Sequence, residues 1–405
     1  MFRKSQIGVE MFTKCDTFLT TRDRREASRE LTVRRGKAVC SDSVRGIMKF
    51  HSTKFGATRA ALVVASALGM TAGLVMAPVG AGASGTIPSK GTVYIIPKDT
   101  TNPYEVIADN GVISALKAYG WTGVVDSGTV DTAAAQEPAI QAAISAHAKA
   151  IVIAANDPSA LCPLLNKARA QGIMIVGFDS DNYCKDNLFI NQADTKTIGA
   201  SEVDLLASQI KSTGQIAILS AAATATNQNA WIGYMKTELK KYPKMKLVST
   251  VYGNDDPTTS LTVLQGLLAK YPNLKGIISP TTVGISTAAQ YLYTHSKYKN
   301  VVLTGLGLPS QMKAYTGGPN VKAFELWNPA DLGYLAGELA IELSAGVTHN
   351  KVGVVVKALP KAKKLSENSS WTIQAAPKGS TDPSNFVILG APYVFTKANV
   401  GKFNF

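Results

Sequence analysis

From Gly91 onward the chain alternates short apolar runs with longer segments in which apolar residues recur every three or four positions. The short runs read TVYIIP (92–97), GVVDSG (123–128), AIVIAA (150–155), IMIVGF (173–178), LFINQ (188–192), QIAILS (215–220), KLVSTVY (246–252), GIISP (276–280), VVLTGL (301–306) and VKAFELW (321–327). Runs of this kind suit parallel strands covered on both faces. The segments between them, such as EVIADNGVISALKAYG and TTSLTVLQGLLAKYP, have the spacing of covering helices. The strand and helix alternation occurs over 92–190 and again over 214–318, enough in each half for one doubly wound α/β domain. The expected fold is therefore α/β, with two doubly wound parallel-sheet lobes and a ligand cleft between them. INQADTKTIGA (190–200), polar between two apolar units, is the expected first crossing between the lobes.

In open parallel sheets ligands sit beyond the carboxyl ends of the strands, so each strand exit is a candidate wall of the cleft. After 92–97 come Lys98, Asp99, Thr100 and Asn102, with Tyr104; after 173–178 come Asp179 and Asp181. After 215–220 come Asn227, Gln228, Asn229 and Trp231; after 276–280, Pro280, Thr281 and Thr282; after 321–327, Trp327 and Asn328. Amides, hydroxyls and isolated carboxylates match the donors and acceptors of a polyol, and flat aromatic rings pack on the C–H face of a sugar. A phosphate would call for glycine-rich loops and an arginine fork, which these exits do not hold. Other roles stay open for single residues. Lys98 reads also as a solvated loop charge, Asp179 and Asp181 as cap or turn residues, and Trp327 as core. Asn227 and Gln228 read also as caps of a helix beginning near Ala230.

No catalytic set can be assembled. GxSxG and HExxH are missing, and GLGLPS (305–310) lacks the later glycine of a dinucleotide loop. Asp255 and Asp256 in GNDDPTT are adjacent, so their side chains diverge, and the stretch reads as a loop before a helix at 258–270. His51, His147, His295 and His349 lie far apart, so no zinc and no cofactor are expected.

Charge and cysteine sharpen the setting. The formal net charge is +14, but residues 1–83 carry 14 Lys/Arg against 6 Asp/Glu, whereas 84–405 hold 28 against 22. The basic excess is mostly N-terminal and shows no helix-turn-helix pattern, so nucleic acid is not an expected partner. Lys49, Lys54 and Arg59 precede an uncharged stretch from Ala60 to Val79, and Ala81-Gly82-Ala83 is the small-x-small pattern of a cleavage site. Residues 48–83 are expected to be a signal peptide cut after Ala83, sending the chain to the periplasm. The competing reading is a membrane anchor, since a run of about 20 residues can span a bilayer. Residues 1–47 precede a signal with its own Met48 and read as a doubtful N-terminal extension. Cys15 and Cys40 fall in that segment; Cys162 and Cys184 remain, and one disulfide is the default for an exported chain.

With these residues assembled, the chain resembles type I periplasmic sugar-binding proteins of ABC importers, in the branch of rhamnose-binding and autoinducer-2-binding proteins. NPYEVIADNG (102–111) resembles the start of the first helix in ribose-type binding proteins. The likeness extends through GFDSD, TNQNAW, YPNLKGIISP, FELWNPADLGYLAGELA and LGAPYVFTKANVGKFNF. In autoinducer-2 receptors of that branch, contacts come from a lysine after the first strand, an aspartate after the fourth, an Asp-Gln pair and a Pro-x-Ala segment. Here these positions read Lys98, Asp179, Asn227-Gln228 and Pro280-Thr281-Thr282. The changes to Asn and Thr alter which hydroxyl pattern fits and favour a rhamnose-like sugar or polyol over autoinducer-2.

The resemblance also pairs Cys162 with Cys184. It implies lobes of 88–190 with 327–346 and of 193–326 with 347–405. It further implies a hinged monomer, not an enzyme, that closes on a small sugar or polyol and delivers it to an inner-membrane ABC permease. An autoinducer-2 receptor, or a sugar sensor for a membrane chemoreceptor, are the alternatives of the same fold.

Overall fold

The computed structural model describes residues 86–366, 368–376 and 382–405; the expected signal segment and the extension before it lie outside them. The first five apolar runs form β1 (Thr92–Ile96), β2 (Thr122–Val125), β3 (Ala150–Ile153), β4 (Met174–Phe178) and β5 (Leu188–Asn191). Between them run α1 (Pro103–Ala118), α2 (Ala133–Ser145) and α3 (Pro158–Ala170). These strands lie in the order β2-β1-β3-β4-β5, all parallel. All four residues of β3 are buried, as a central strand covered on both faces requires. Pro103 opens α1 where its missing N–H is no loss, and Asn102 caps the helix by accepting from the Tyr104 N–H at 3.0 Å.

The chain crosses into α4 (Thr195–Ile210) and repeats the pattern. It continues as β6 (Gly214–Ser220), α5 (Thr226–Glu238), β7 (Met245–Tyr252), α6 (Pro257–Lys270), β8 (Leu274–Ser279), α7 (Thr282–Thr294), β9 (Val302–Gly305) and the short α8 (Pro309–Met312). The second sheet runs β7-β6-β8-β9, again parallel, the same winding as the first. After β10 (Ala323–Leu326), α9 (Pro329–Ser344) returns to the first lobe and packs along α1. Glycines permit that approach. A Cβ on Gly333 would strike the carbonyl of Ala108, one on Gly111 the carbonyl of Ala330, and one on Gly337 would lie 2.8 Å from the Ala115 Cβ.

Among the described residues five further strands follow: β11 (Val355–Lys357), β12 (Ser370–Thr372), β13 (Gln374–Ala375), β14 (Asn385–Ile388) and β15 (Tyr393–Thr396). The sequence places all of 347–405 with the second lobe. The structure corrects this: β14 pairs parallel with β5, and β13 with β14, so the first sheet has seven strands. β15 instead pairs antiparallel with β10. Strands of two to four residues leave no periodicity to read, and their register is set by the sheet edges they find.

Candidate ligand-binding site

Residues at the carboxyl ends of β1, β4, β6, β7, β8, β9 and β10 line one cavity between the lobes. From the first lobe come Lys98, Asn102, Tyr104, Glu105 and Asp179; from the second, Gln228, Trp231, Asp255, Pro280, Thr281, Thr282 and Leu306. Leu326 and Trp327, at the crossing before α9, close the end.

The polar centre is an ion pair. Lys98 is 3% exposed, and its Nζ lies 2.8 Å from Asp179 Oδ2. Burial alone would lower the lysine pKa, but the negative charge of Asp179, with Glu105, Asp131 and Asp255 behind it, holds the ammonium above its usual value. Asp179 sits at φ 57°, in the left-handed region. Gln192 Nε2 donates to its Oδ1 at 2.7 Å and to its carbonyl at 2.8 Å. Asn227 reaches over from α5: its Oδ1 accepts from Lys98 at 3.4 Å and its Nδ2 donates to Asp179 Oδ2 at 3.3 Å.

The aromatic side is equally fixed. Trp327 Nε1 donates to the Tyr104 hydroxyl at 2.7 Å, with the rings edge to face, and Trp231 lies 5.9 Å from Trp327. Burial, then the charges of Asp179 and Glu105, push the Tyr104 phenol well up, so it stays a neutral donor. Leu306 and Leu326 add apolar contact. Polar groups facing flat rings form a site for a molecule with one hydroxylated and one C–H face. Among the described residues no group of three or more His, Cys, Asp or Glu could hold a metal ion.

Residues 93–348 match the periplasmic binding protein domain family. The chain belongs to that family. Its members bind substrates and are not enzymes. This binding protein is 38% identical to an ABC transporter solute-binding protein from Clostridium phytofermentas, solved with bound L-rhamnose. The match covers 78% of this chain and 98% of that one, with a TM-score of 0.73. A sugar ABC transporter structure from Actinomyces odontolyticus is also 38% identical, over 78% of this chain and 98% of that one, with a TM-score of 0.59. LsrB from Clostridium saccharobutylicum in complex with AI-2 shares the fold at 22% identity, over 78% of this chain and all of that one, with a TM-score of 0.69. Among curated proteins, the D-apiose import binding protein of Actinobacillus succinogenes is 24% identical over 59% of this chain and 78% of its own length.

Of the residues singled out in the binding protein's sequence, Lys98, Asn102, Tyr104, Asp179, Gln228, Trp231, Pro280, Thr281, Thr282 and Trp327 meet at the cavity. Six do not line it. Thr100 donates its hydroxyl to the Gly128 carbonyl at 3.3 Å, and Asn229 Nδ2 donates to the Ala223 carbonyl at 2.8 Å. Asp99 Oδ1 is taken by its own loop, accepting from the Thr101 N–H and hydroxyl at 2.7 Å and from the Asn102 N–H at 2.8 Å. Asn328 caps α9, accepting from the Ala330 N–H at 3.0 Å. Asp181 faces a larger neighbouring cavity, where it accepts from Asn187 at 2.8 Å and Ser384 at 3.1 Å. Asn227 lines that neighbour too and acts on the centre through Lys98 and Asp179. Helix α5 starts at Thr226, not near Ala230, so Asn227 and Gln228 belong to its first turn rather than capping it.

Glu105, Asp255, Leu306 and Leu326 are additions. Asp256 caps α6 by accepting from the Thr259 N–H at 2.6 Å, which aims its neighbour Asp255 into the cleft, bonded to the Thr281 hydroxyl. That divergence was readable from the sequence; its target was not. Cys162 on α3 is bonded to Cys184, with Cα atoms 5.5 Å apart, tying the loop that follows Asp179 to the first lobe.

Proposed function

We propose that the protein is the substrate-binding component of an ABC importer that closes its two lobes on one small neutral sugar or polyol, rhamnose-like in shape. It presents the closed form to a membrane permease. The observation that carries this reading is the inter-lobe cavity itself: a buried lysine and aspartate, free amide and carboxyl oxygens, and a three-ring aromatic side on strand exits of both sheets. The L-rhamnose held by the 38% identical Clostridium protein supports the ligand class. Closure around such a ligand is a two-state hinge movement, and only ligands that bind the closed state better can drive it.

Export by cleavage after Ala83, and action as a monomer, complete the proposal. Titration calorimetry with L-rhamnose, D-ribose, D-allose and autoinducer-2 tests the ligand. Heat with L-rhamnose is expected; silence with every one of them overturns the reading. Intact mass of the exported protein tests the cleavage, with a chain starting at Ser84 as the expected result.

A further inference from the structure

Each wall of the cavity holds a buried acceptor that the protein leaves unpaired. Glu105 and Gln228 are 1% and 5% exposed, both line the cavity, and neither Glu105 Oε2 nor Gln228 Oε1 has a hydrogen-bond partner. The two positions are equivalent. Each is the third residue of its helix, α1 and α5, where a Glu or Gln ordinarily turns back to the N–H of the capping residue. In α1 that N–H, on Asn102, already donates to Asp99 Oδ1 at 2.8 Å. In α5 it belongs to Ala225 and donates to the Ala222 carbonyl at 3.2 Å. Neither helix needs its third side chain, and both side chains are released toward the cavity. An unpaired buried polar group destabilises the fold, so two of them facing one cavity call for partners on a ligand.

We infer that Glu105 and Gln228 form a two-sided grip on the ligand, one oxygen from each lobe, that takes hydroxyl groups of a neutral sugar and rejects an anionic sugar at that end. The inference rests on the sugar-binding reading above. Anions are rejected because the cavity holds the carboxyls of Asp179 and Asp255 against one cation, Lys98, which is already committed to Asp179. Burial, reinforced by Asp179, raises the Glu105 pKa well above the usual carboxylate range. A protonated Glu105 keeps an acceptor and adds a donor, so a hydroxyl can pair with it in either sense. Because the two groups come from different lobes, the grip is complete only in the closed form.

Calorimetry on the wild type, Glu105→Ala and Gln228→Ala tests this, using L-rhamnose, D-ribose and D-allose, the monodeoxy analogues of whichever binds tightest, and L-rhamnonate. Each substitution is expected to weaken the sugar by roughly 10- to 100-fold. One deoxy analogue is expected to lose affinity against the wild type but not against the variant lacking its partner. L-rhamnonate is expected to bind at least ~10-fold more weakly than L-rhamnose. Without ligand, both variants are expected to melt no lower than the wild type, which a structural role for either side chain would not allow.

Wild-type affinity in both variants, while Lys98→Ala still weakens binding, overturns the grip and leaves the sugar reading standing. L-rhamnonate binding more tightly than L-rhamnose also overturns it. A wild type silent to every neutral sugar overturns both. Should Glu105→Ala fail to fold, Gln228→Leu decides alone, and unchanged affinity in it overturns the grip.

Discussion

The first-lobe wall of the cavity presents the charges of Lys98 and Asp179, whereas the second-lobe wall presents mainly amides and hydroxyls, in Gln228, Thr281 and Thr282, with one carboxyl, Asp255, bonded to Thr281, and with Asn227 behind it. Both partners of the buried ion pair sit on the same lobe. Separating the lobes therefore leaves Lys98 and Asp179 together and parts them only from a neutral amide. Breaking a buried ion pair by losing one partner is far more costly than giving up neutral hydrogen bonds. A receptor that must open and close can keep its charges only where the motion does not divide them. Supporting bonds follow the same split: Gln192 fixes Asp179, and Asn156 Nδ2 holds the Lys98 carbonyl at 2.8 Å, all within the first lobe or at its crossing.

The widest test of this asymmetry is pH. In the first lobe burial raises the carboxyls of Asp109 and Glu342 to about 8 and of Asp131 and Glu338 to about 7. In the second, burial raises Glu325 to about 7 and also raises Glu202 and Asp255. A raised carboxyl binds its proton more tightly in the fold than in the unfolded chain. Its contribution is complete below an unfolded pKa of about 4 and is lost as pH rises through the folded value. Amide protection factors are expected to fall between roughly pH 5 and pH 8, and to fall further in β1 and β3 than in β6 and β8. An equal fall in both sheets would break the comparison.

Next in size is Lys98→Met, which strands the Asp179 carboxylate and is expected to cost roughly 3–5 kcal/mol in denaturant unfolding, along with most ligand affinity. A smaller effect is expected from Asn227→Asp. It sets a carboxylate against Asp179 from the second lobe, removes the N–H that donates to Asp179, and is expected to weaken closure by roughly 1–3 kcal/mol. Small-angle scattering of the unliganded protein would then report a larger radius of gyration; an unchanged radius would show that a neutral amide facing the ion pair does not matter. Smallest is Asp256→Ala, expected to cost about 1 kcal/mol of stability through the α6 cap and to leave sugar affinity within twofold by calorimetry.

Most of the first ten strands were legible because burial leaves their runs nearly free of polar positions, while the edge strands β2 and β7, largely unburied, were read from their place in the strand and helix alternation. β11 to β15 were not, since two to four residues carry no period and β14 finds its partner β5 across nearly two hundred residues. Within the site, side chains directly beyond a strand end were readable, Lys98 and Asp179 among them. Asp99 and Asn328 were not separable from them by position alone, because a cap and a ligand contact use the same residue types at the same strand exits. Glu105 was hidden for the converse reason: as the third residue of α1 it has an ordinary helical use, and only the bond from the Asn102 N–H to Asp99 shows that use to be filled.

The glycine contacts between α1 and α9 have a mechanical meaning. α9 starts two residues after Trp327, at a crossing between the lobes, and the first turn of α1 carries the cavity residues Tyr104 and Glu105. With Gly333 and Gly111 each seated against the backbone of the opposite helix, the two helices have no slack to slide. They form a lever, welded along its length, with its fulcrum at the crossing and its tip in the cavity. Any turn of α9 at the crossing would then carry α1, with Tyr104 and Glu105, as one body rather than shear the two helices.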